Sequence, residues 1–588
     1  MKRLIALVQI ALLVGVVGAN YSCADFLEKA PPQVIGGPSL ENAQGVEGLL
    51  TGTYSAIRGT ATSQAARFGA SMASDITYGS IASDDAYKGT DPGDQAANFT
   101  PLERYEALPG NTYMLARWQE CYDGVARANQ TLDYLRTVVG NGGGITAERA
   151  LTIEAEARFL RAWFHFQANK VFRNIPYIMT SEEMGGKAVG EIENTDAAWS
   201  QIEADLQFAI DNLPTNAPTG EPGRADKWSA EAVKAQVHMY QNEFGDARTL
   251  LDDILDNGGF TLAPNFNDNF DEATENNSES IFEMQASVTS TNHTAMRWGG
   301  AIASGSQPGL SGWGFYQPSQ TLVDAFQVTE DGLPILDVAR RETVHNDMGI
   351  ASDQPFTPTT QPLDPRLDWT VSRRGIPFLD YGLWPGAAWI RNQPNGGPYM
   401  TKKFSSYRSS PLSSDGLGFN GRNVRLYRLS HIILWRAEVA VEDDQLDLAR
   451  TLVNRIRERA KTGEWVMGLS SNTTFGRGEA DIVDMSKPAA NYRIEPYPER
   501  HPAFASQAEA RKAVRMEIQL EFATEGHRFF DLRRWGIDVE VLNRFIEDDT
   551  QFRTFMHGSK YAEKNRYWPL PQAQIDLQQG VLKQDSNY

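Results

Sequence analysis

The chain has 588 residues, with 55 Lys and Arg against 75 Asp and Glu for a net charge of −20. Hydrophobic residues make up 41% and aromatics 10%, with a mean hydropathy of −0.43, which excludes a disordered chain and a polytopic membrane protein. So acidic a surface repels phosphate backbones, so no nucleic-acid partner is expected, and two cysteines exclude a disulfide scaffold or a multi-cysteine metal site.

Lys2 and Arg3 precede an apolar run from Leu4 to Gly18. That is the layout of an export signal, too short to span a bilayer comfortably, and no later run reaches the roughly 18 apolar residues of a membrane helix. Two processing outcomes stay open at this point. Val17-Gly18-Ala19 is a small-residue cleavage site that would release a soluble protein. Alternatively Cys23 is the first mature residue and carries lipid, although Asn20-Tyr21-Ser22 is an atypical lead-in. Cys121 is the other cysteine, so an unlipidated Cys23 can bridge to it in an oxidising compartment.

Helical periodicity dominates from about Glu41 to Asn257. Apolar residues at three- and four-residue steps predict helices over Thr112–Val138, Thr146–Phe172, Thr195–Leu213, Ala230–Gln241 and Asp246–Asp256. Thr146 and Ser229 stand where helix caps belong, each followed by an early acid. A second helical stretch runs from Arg425 to about Asn543. Ala235 and Ala247 are twelve residues apart, as are Ala437 and Ala449. Small residues at that spacing mark the close approach of two helices in a tetratricopeptide-type hairpin.

Between them, from about Phe260 to Asn423, periodicity fails and Gly, Pro, Ser and Asn accumulate. A structureless loop of that length has no place in a compact fold. An irregular subdomain carried on a helical frame is expected, and such loops hold binding residues. Trp298, Trp313, Trp369, Trp384 and Trp389 fall here with Phe315, Tyr316, Tyr381 and Tyr399. Rings with an apolar face and a polar edge suit the C–H faces of sugars; equally, they can form the core of the stretch. Trp298, Trp313, Tyr316, Trp384 and Trp389 are the aromatic ligand-binding candidates. One acidic loop, Ser83 to Asp94, offers Asp84, Asp85 and Tyr87 as hydrogen-bonding partners for sugar hydroxyls, or its oxygens to Ca²⁺. It lacks the spacing of an EF-hand.

Catalytic motifs are absent: no Walker loop, no His-Glu-x-x-His and no Gly-x-Ser-x-Gly occurs. The histidines form no close pair, which leaves a His-rich metal site unsupported. No catalytic residue and no metal ligand is assigned.

Several stretches resemble the SusD/RagB family of Bacteroidetes outer-membrane lipoproteins. They are Cys23-Ala24-Asp25-Phe26-Leu27, Glu156 to Phe166 continuing to Phe172-Arg173-Asn174-Ile175-Pro176, Pro318 to Phe326, Asp364-Pro365-Arg366, Asn454 to Ala460, Leu520 to Gly536, and Trp568-Pro569-Leu570-Pro571. They span nearly the whole mature chain in the family's order. Arg173 stands where the family has Gly. Dense opposite charges around Phe522, Phe529, Phe530 and Trp535 read as a fold-defining motif, an apolar stripe flanked by paired ions.

The resemblance implies a mainly α, SusD-like helical scaffold with tetratricopeptide-like helix pairs and an irregular loop-rich subdomain. Its expected organisation is a lipoprotein signal peptide over 1–22, an N-terminal helical region over 23–259, the irregular subdomain over 260–423 and a C-terminal helical region over 424–588, one unit from 23 to 588. It implies a lipid anchor at Cys23 and a non-enzymatic protein exposed at the outer-membrane surface. Such a protein captures oligosaccharides and hands them to a SusC-like TonB-dependent transporter. The RagB branch takes peptides instead, and a surface glycosidase or a periplasmic helical-repeat adaptor are the remaining readings. The family's ligand residues share no motif, so none is carried over by matching.

Overall fold

The apolar steps in the sequence become helices close to where they predict them. The computed structural model describes residues 40–59, 72–73, 75–196, 198–286, 306–307, 310–311, 314–405, 407–410, 421–474 and 483–588. Cys23, Trp298 and Trp313 lie outside these residues. The longer helices are α1 (Ala43–Ser55), α2 (Thr112–Gly140), α3 (Ala147–Phe172), α4 (Ala198–Asn212), α5 (Lys227–Gln241), α6 (Phe244–Asn257), α7 (Leu429–Glu442), α8 (Leu446–Thr462), α9 (Gln507–Phe522), α10 (Arg528–Arg534) and α11 (Asp538–Thr550).

From α2 to α6 each helix packs on the next; α6 then packs on α7, and α7 on α8 and α9. The chain thus resumes its helical stack after the long irregular excursion. Ala235, Ala247, Ala437 and Ala449 are all 0% exposed, which lets α5 approach α6 and α7 approach α8 closely. Thr146 caps α3 as expected, accepting from the Arg149 amide at 3.2 Å. Ser229 does not cap α5. Asp226 does, accepting from the Ser229 amide at 2.8 Å, and the helix starts three residues earlier than the apolar pattern suggests. Arg173 ends α3 at φ 65°, a conformation that glycine adopts without steric cost. Its guanidinium sits 5.6 Å over the Tyr567 ring, a contact glycine cannot make. Cys121 is a fully buried free thiol, its Sγ 3.5 Å from Met72 Sδ.

Two antiparallel strand pairs fasten the irregular stretch. β1 (Ala86–Gly89) pairs with β3 (Phe315–Pro318), and β2 (Ser280–Met284) pairs with β4 (Val424–Arg428). The second pair closes the stretch near its two ends; the first ties it to the N-terminal region. Its apolar core is shared. Leu322, Phe326, Leu363, Leu367 and Val371 cluster with Val466, Tyr492 and, from α9, Met516 and Leu520. A smaller cluster of Phe378, Trp384, Ile390 and Met400 belongs to the stretch alone.

Beneath these layers lies a buried ionic network. Glu521 on α9 takes Arg428 at 2.6 Å, Arg366 at 3.0 Å and Arg459. Arg366 also pairs with Asp364 and Glu517, Arg457 with Glu517, Arg428 with Glu279 and Glu525, Arg459 with Glu279, and Lys403 with Glu525. The five cations Arg366, Lys403, Arg428, Arg457 and Arg459 match the five carboxylates Asp364, Glu279, Glu517, Glu521 and Glu525. Every member's side chain is at most 7% exposed. The charge run around Phe522, Phe529 and Phe530 is therefore internal, which is what its alternation with phenylalanines suggests. Among the described residues no helix is long and apolar enough to cross a membrane.

Candidate ligand-binding face

Residues 375–391 fold back on themselves. The Phe378 amide donates to the Gly382 carbonyl at 2.8 Å, and the Trp384 amide to Ile376 at 2.9 Å. The turn gathers four rings. Phe378 and Trp384 lie with centroids 4.9 Å apart, Phe378 and Tyr381 5.7 Å apart, and Trp384 meets Trp389 edge-on at 5.2 Å. Phe378 and Trp384 are buried. They act as a floor against which Tyr381 and Trp389 pack half-buried. Burial, and then the neighbouring Asp380 carboxylate, push the Tyr381 phenol up to about 12, so it stays a neutral donor at physiological pH.

Directly after Trp389 the chain turns polar. Arg391 Nε donates to Asp91 at 2.6 Å and its Nη2 lies 3.2 Å from Asp94. Asn392 Nδ2 donates to the other Asp91 oxygen at 3.0 Å. The Asn392 hydrogen bond and the Arg391 guanidinium hold the Asp91 carboxyl below its ordinary range. The side chains of Arg391, Asp91 and Asp94 are 30%, 42% and 29% exposed. Asn395 Nδ2 bonds the Gly89 and Thr90 carbonyls at 2.9 and 2.8 Å, which ties the 84–95 loop to the segment that follows Trp389. The result is an aromatic platform flanked by solvent-reaching carboxylates, amides and a guanidinium. Such a set can stack on an apolar ring face and hydrogen-bond hydroxyls at its edge.

Most residues singled out from the sequence sit elsewhere. Asp84 is 2% exposed and spends both oxygens on Arg528, at 2.8 and 2.9 Å. Asp85, 1% exposed, accepts from the Thr524 amide at 3.2 Å; burial, and then Asp84, push it up to about 7. The Tyr87 hydroxyl donates to Asp549 inside the fold. Tyr316 is 0% exposed, its hydroxyl wedged between Ser80 Oγ and the Thr524 carbonyl. Trp384 is the floor of the ring cluster. These five are corrected from ligand contacts to interior residues, because each found its polar or aromatic partner within the protein. Of the described candidates, Trp389 alone is half-buried and not buried. Tyr381 and Arg391 were not among the candidates, although an Arg-Asn pair right after a loop tryptophan was the available signal.

The acidic loop from Ser83 to Asp94 has oxygens engaged within the protein. The loop carries its own cation: Lys88 Nζ takes the carbonyls of Asp91, Pro92 and Asp94 at 3.3, 3.4 and 2.8 Å.

Comparison with known proteins decides the family. The SusD family profile matches residues 278–588, more than half the chain. The chain belongs to the SusD family. A second family profile, described as starch-binding and associating with the outer membrane, matches residues 25–239. A curated relative, SusD-like protein P25 of Formosa agariphila, is 23% identical over 98% of both chains. Among solved structures, a SusD superfamily protein from Bacteroides vulgatus superposes with a TM-score of 0.67 at 18% identity, covering 93% of this chain and 100% of that one. Surface glycan-binding protein A of Bacteroides thetaiotaomicron, solved with laminarihexaose, superposes at 0.64 and 18% identity, covering 93% and 100%. The fold is thus the mainly α SusD fold that the sequence motifs implied. SusD-like proteins are binding proteins, not enzymes.

Proposed function

We propose that this SusD-like chain captures oligosaccharides at the cell surface and passes them to a SusC-like TonB-dependent transporter. The observation that carries the reading is the Tyr381–Trp389 platform with Arg391, Asp91 and Asp94 at its edge. The starch-binding description of the matching family and the glycan-bound neighbour support it. Stacking on one sugar is weak, but a polymer offers many repeats and a transporter needs only local concentration.

Binding of the mature protein to a panel of polysaccharides and peptides is the test. Trp389→Ala is expected to weaken binding of the recognised glycan about tenfold, and Trp389→Phe to restore most of it. Binding to peptides alone, or glycan binding untouched by loss of both Trp389 and Tyr381, refutes the platform.

The lipid anchor at Cys23 belongs to the same proposal, since delivery to an outer-membrane transporter requires tethering there. Metabolic palmitate labelling is expected in wild type and absent in Cys23→Ala, with a transporter co-purifying from detergent-solubilised membrane only with the labelled form. Unlabelled wild type points to cleavage after Ala19 and sinks the anchor.

A further inference from the structure

A cleft of about 1240 Å³ opens between residues 329–341 and helices α9 and α11. It exceeds the usual span of a small-molecule pocket and has room for several linked sugar rings. Its lining carries both signs at each depth, with exposed Arg340 and Lys512 beside rim acids, and buried Asp84 and half-buried Glu509 further in. Asp331, Asp337, Glu540 and Asp548 stand exposed on its rim, where water screens them. The guanidinium groups of Arg341, Arg515 and Arg528 are half-buried in its walls.

Two of those three make no ion pair among the described residues, although Asp324 and Asp84 act on Arg341, and Glu438 and Glu442 on Arg515, from further off. Arg341 Nε donates to the Ile335 carbonyl at 3.0 Å and Nη2 points at Met516 Sδ at 3.7 Å. Among the described residues it forms no ion pair. Burial, and then the like charge of Arg528, push it down to about 10. Arg515 lies 5.1 Å over the Trp535 ring and likewise forms no ion pair among the described residues. Arg528 is held by Asp84. Arg544, on α11, meets Glu540 only at 3.8 Å. The contrast with the interior is sharp: Arg366, Arg428 and Arg457 are each neutralised by buried carboxylates. A half-buried guanidinium without an anion is costly, and its planar fork matches a carboxylate or sulfate.

We propose that this cleft is a second saccharide site, in which Arg341 and Arg515 receive the oxyanion of an acidic oligosaccharide, a uronate carboxylate or a sulfate ester. The inference rests on glycan capture and names the chemical class captured. In a chain of net charge −20, long-range forces repel such a ligand, so local guanidinium pairing must supply the recognition. Behind the cleft wall the packing continues into the interior. Phe545 on its wall stacks with Tyr87 at 6.0 Å, and Arg553 lies 5.2 Å over Tyr87 and contacts the Pro394 carbonyl at 3.5 Å.

The test is calorimetric titration of the mature protein with matched oligosaccharides of galacturonate, of sulfated galactan and of neutral glucan, with polyglutamate as the peptide arm. At least one acidic saccharide is expected to bind. Arg341→Gln with Arg515→Gln is expected to weaken that binding about tenfold or more, the worth of one charge-assisted hydrogen bond, and to leave any neutral-glucan binding unchanged. Whichever acidic saccharide responds identifies the oxyanion. Arg341→Lys, which keeps the charge and loses the fork, is the milder variant and is expected to fall between the two. Acidic saccharides binding equally to wild type and the double variant overturn the site, as does binding of polyglutamate alone. Neutral glycan bound at Trp389 while no acidic saccharide binds overturns the cleft and leaves capture standing; no glycan bound by any arm removes both.

Discussion

Glu521→Ala is expected to destabilise the protein by about 3–5 kcal/mol, the cost of removing one partner from a buried ion pair. Arg366, Arg428 and Arg459 all converge on this carboxylate, so its loss leaves five cations against four anions in a space closed to water. An apolar replacement of similar volume relieves a buried pair only when its partner goes too. Here the partners also serve Asp364, Glu279, Glu517 and Glu525 and cannot be removed one at a time. Glu521→Gln keeps the shape and part of the hydrogen bonding, so a smaller loss is expected. The pH dependence gives a second reading. Burial alone would raise the Glu521 pKa, but Arg459, Arg428 and Arg366 outweigh it and hold it well below 4.5. A depressed acid contributes its full stability above its unfolded value and loses it as pH falls through the folded one. The gap between wild type and Glu521→Gln in urea melts should therefore be full at neutral pH and close only well below the ordinary glutamate range. A Glu521→Ala protein within about 1 kcal/mol of wild type would mean that the network carries no net weight.

The helices were legible because burial imposes a period on the sequence, and that period survives in α2, α3 and the α5–α6 and α7–α8 pairs. The start of α5 was misread because Ser229 and Asp226 are both good caps and the apolar pattern begins only after them. The site was harder to read for a physical reason. An aromatic ring in a loop-rich stretch serves equally as floor or as platform, and Trp384 and Trp389 have the same local chemistry. Only the fold of 375–391 decides that the first is covered and the second open. The acidic loop shows the same limit. Asp84 and Asp91 both look available, yet Asp84 meets Arg528 from 444 residues away, a pairing that no local spacing announces. The charge run from Glu521 to Arg534 was legible as structural, because acids and bases interleaved with phenylalanines can be buried only as pairs.

Gly79→Ala is expected to be the most damaging single methyl. Gly79 lies in a π-helical turn over Ile76–Ile81, all of it buried, and a β carbon there would overlap the Gly526 carbonyl. The obstacle is backbone, so no rotamer change makes room and one segment must move. Overpacking of this kind costs about 1–3 kcal/mol and more where the backbone shifts. The movement would reach further than the clash. Ser80 Oγ accepts from the Gly526 amide at 3.1 Å and Asp85 from the Thr524 amide at 3.2 Å, and Arg528 grips Asp84 just beyond. These bonds set the start of the loop that carries Asp91 and Asp94 to Arg391. Gly79→Ala is thus expected to lower both the melting temperature and the affinity for the recognised glycan, whereas Trp389→Ala lowers chiefly the affinity. Melting and titration of the two variants side by side separate the cases. A Gly79→Ala protein that melts with wild type would show that the turn and the 523–527 loop do not meet at van der Waals contact, and that the loop bearing Asp91 is positioned by Asn395 and Arg391 alone.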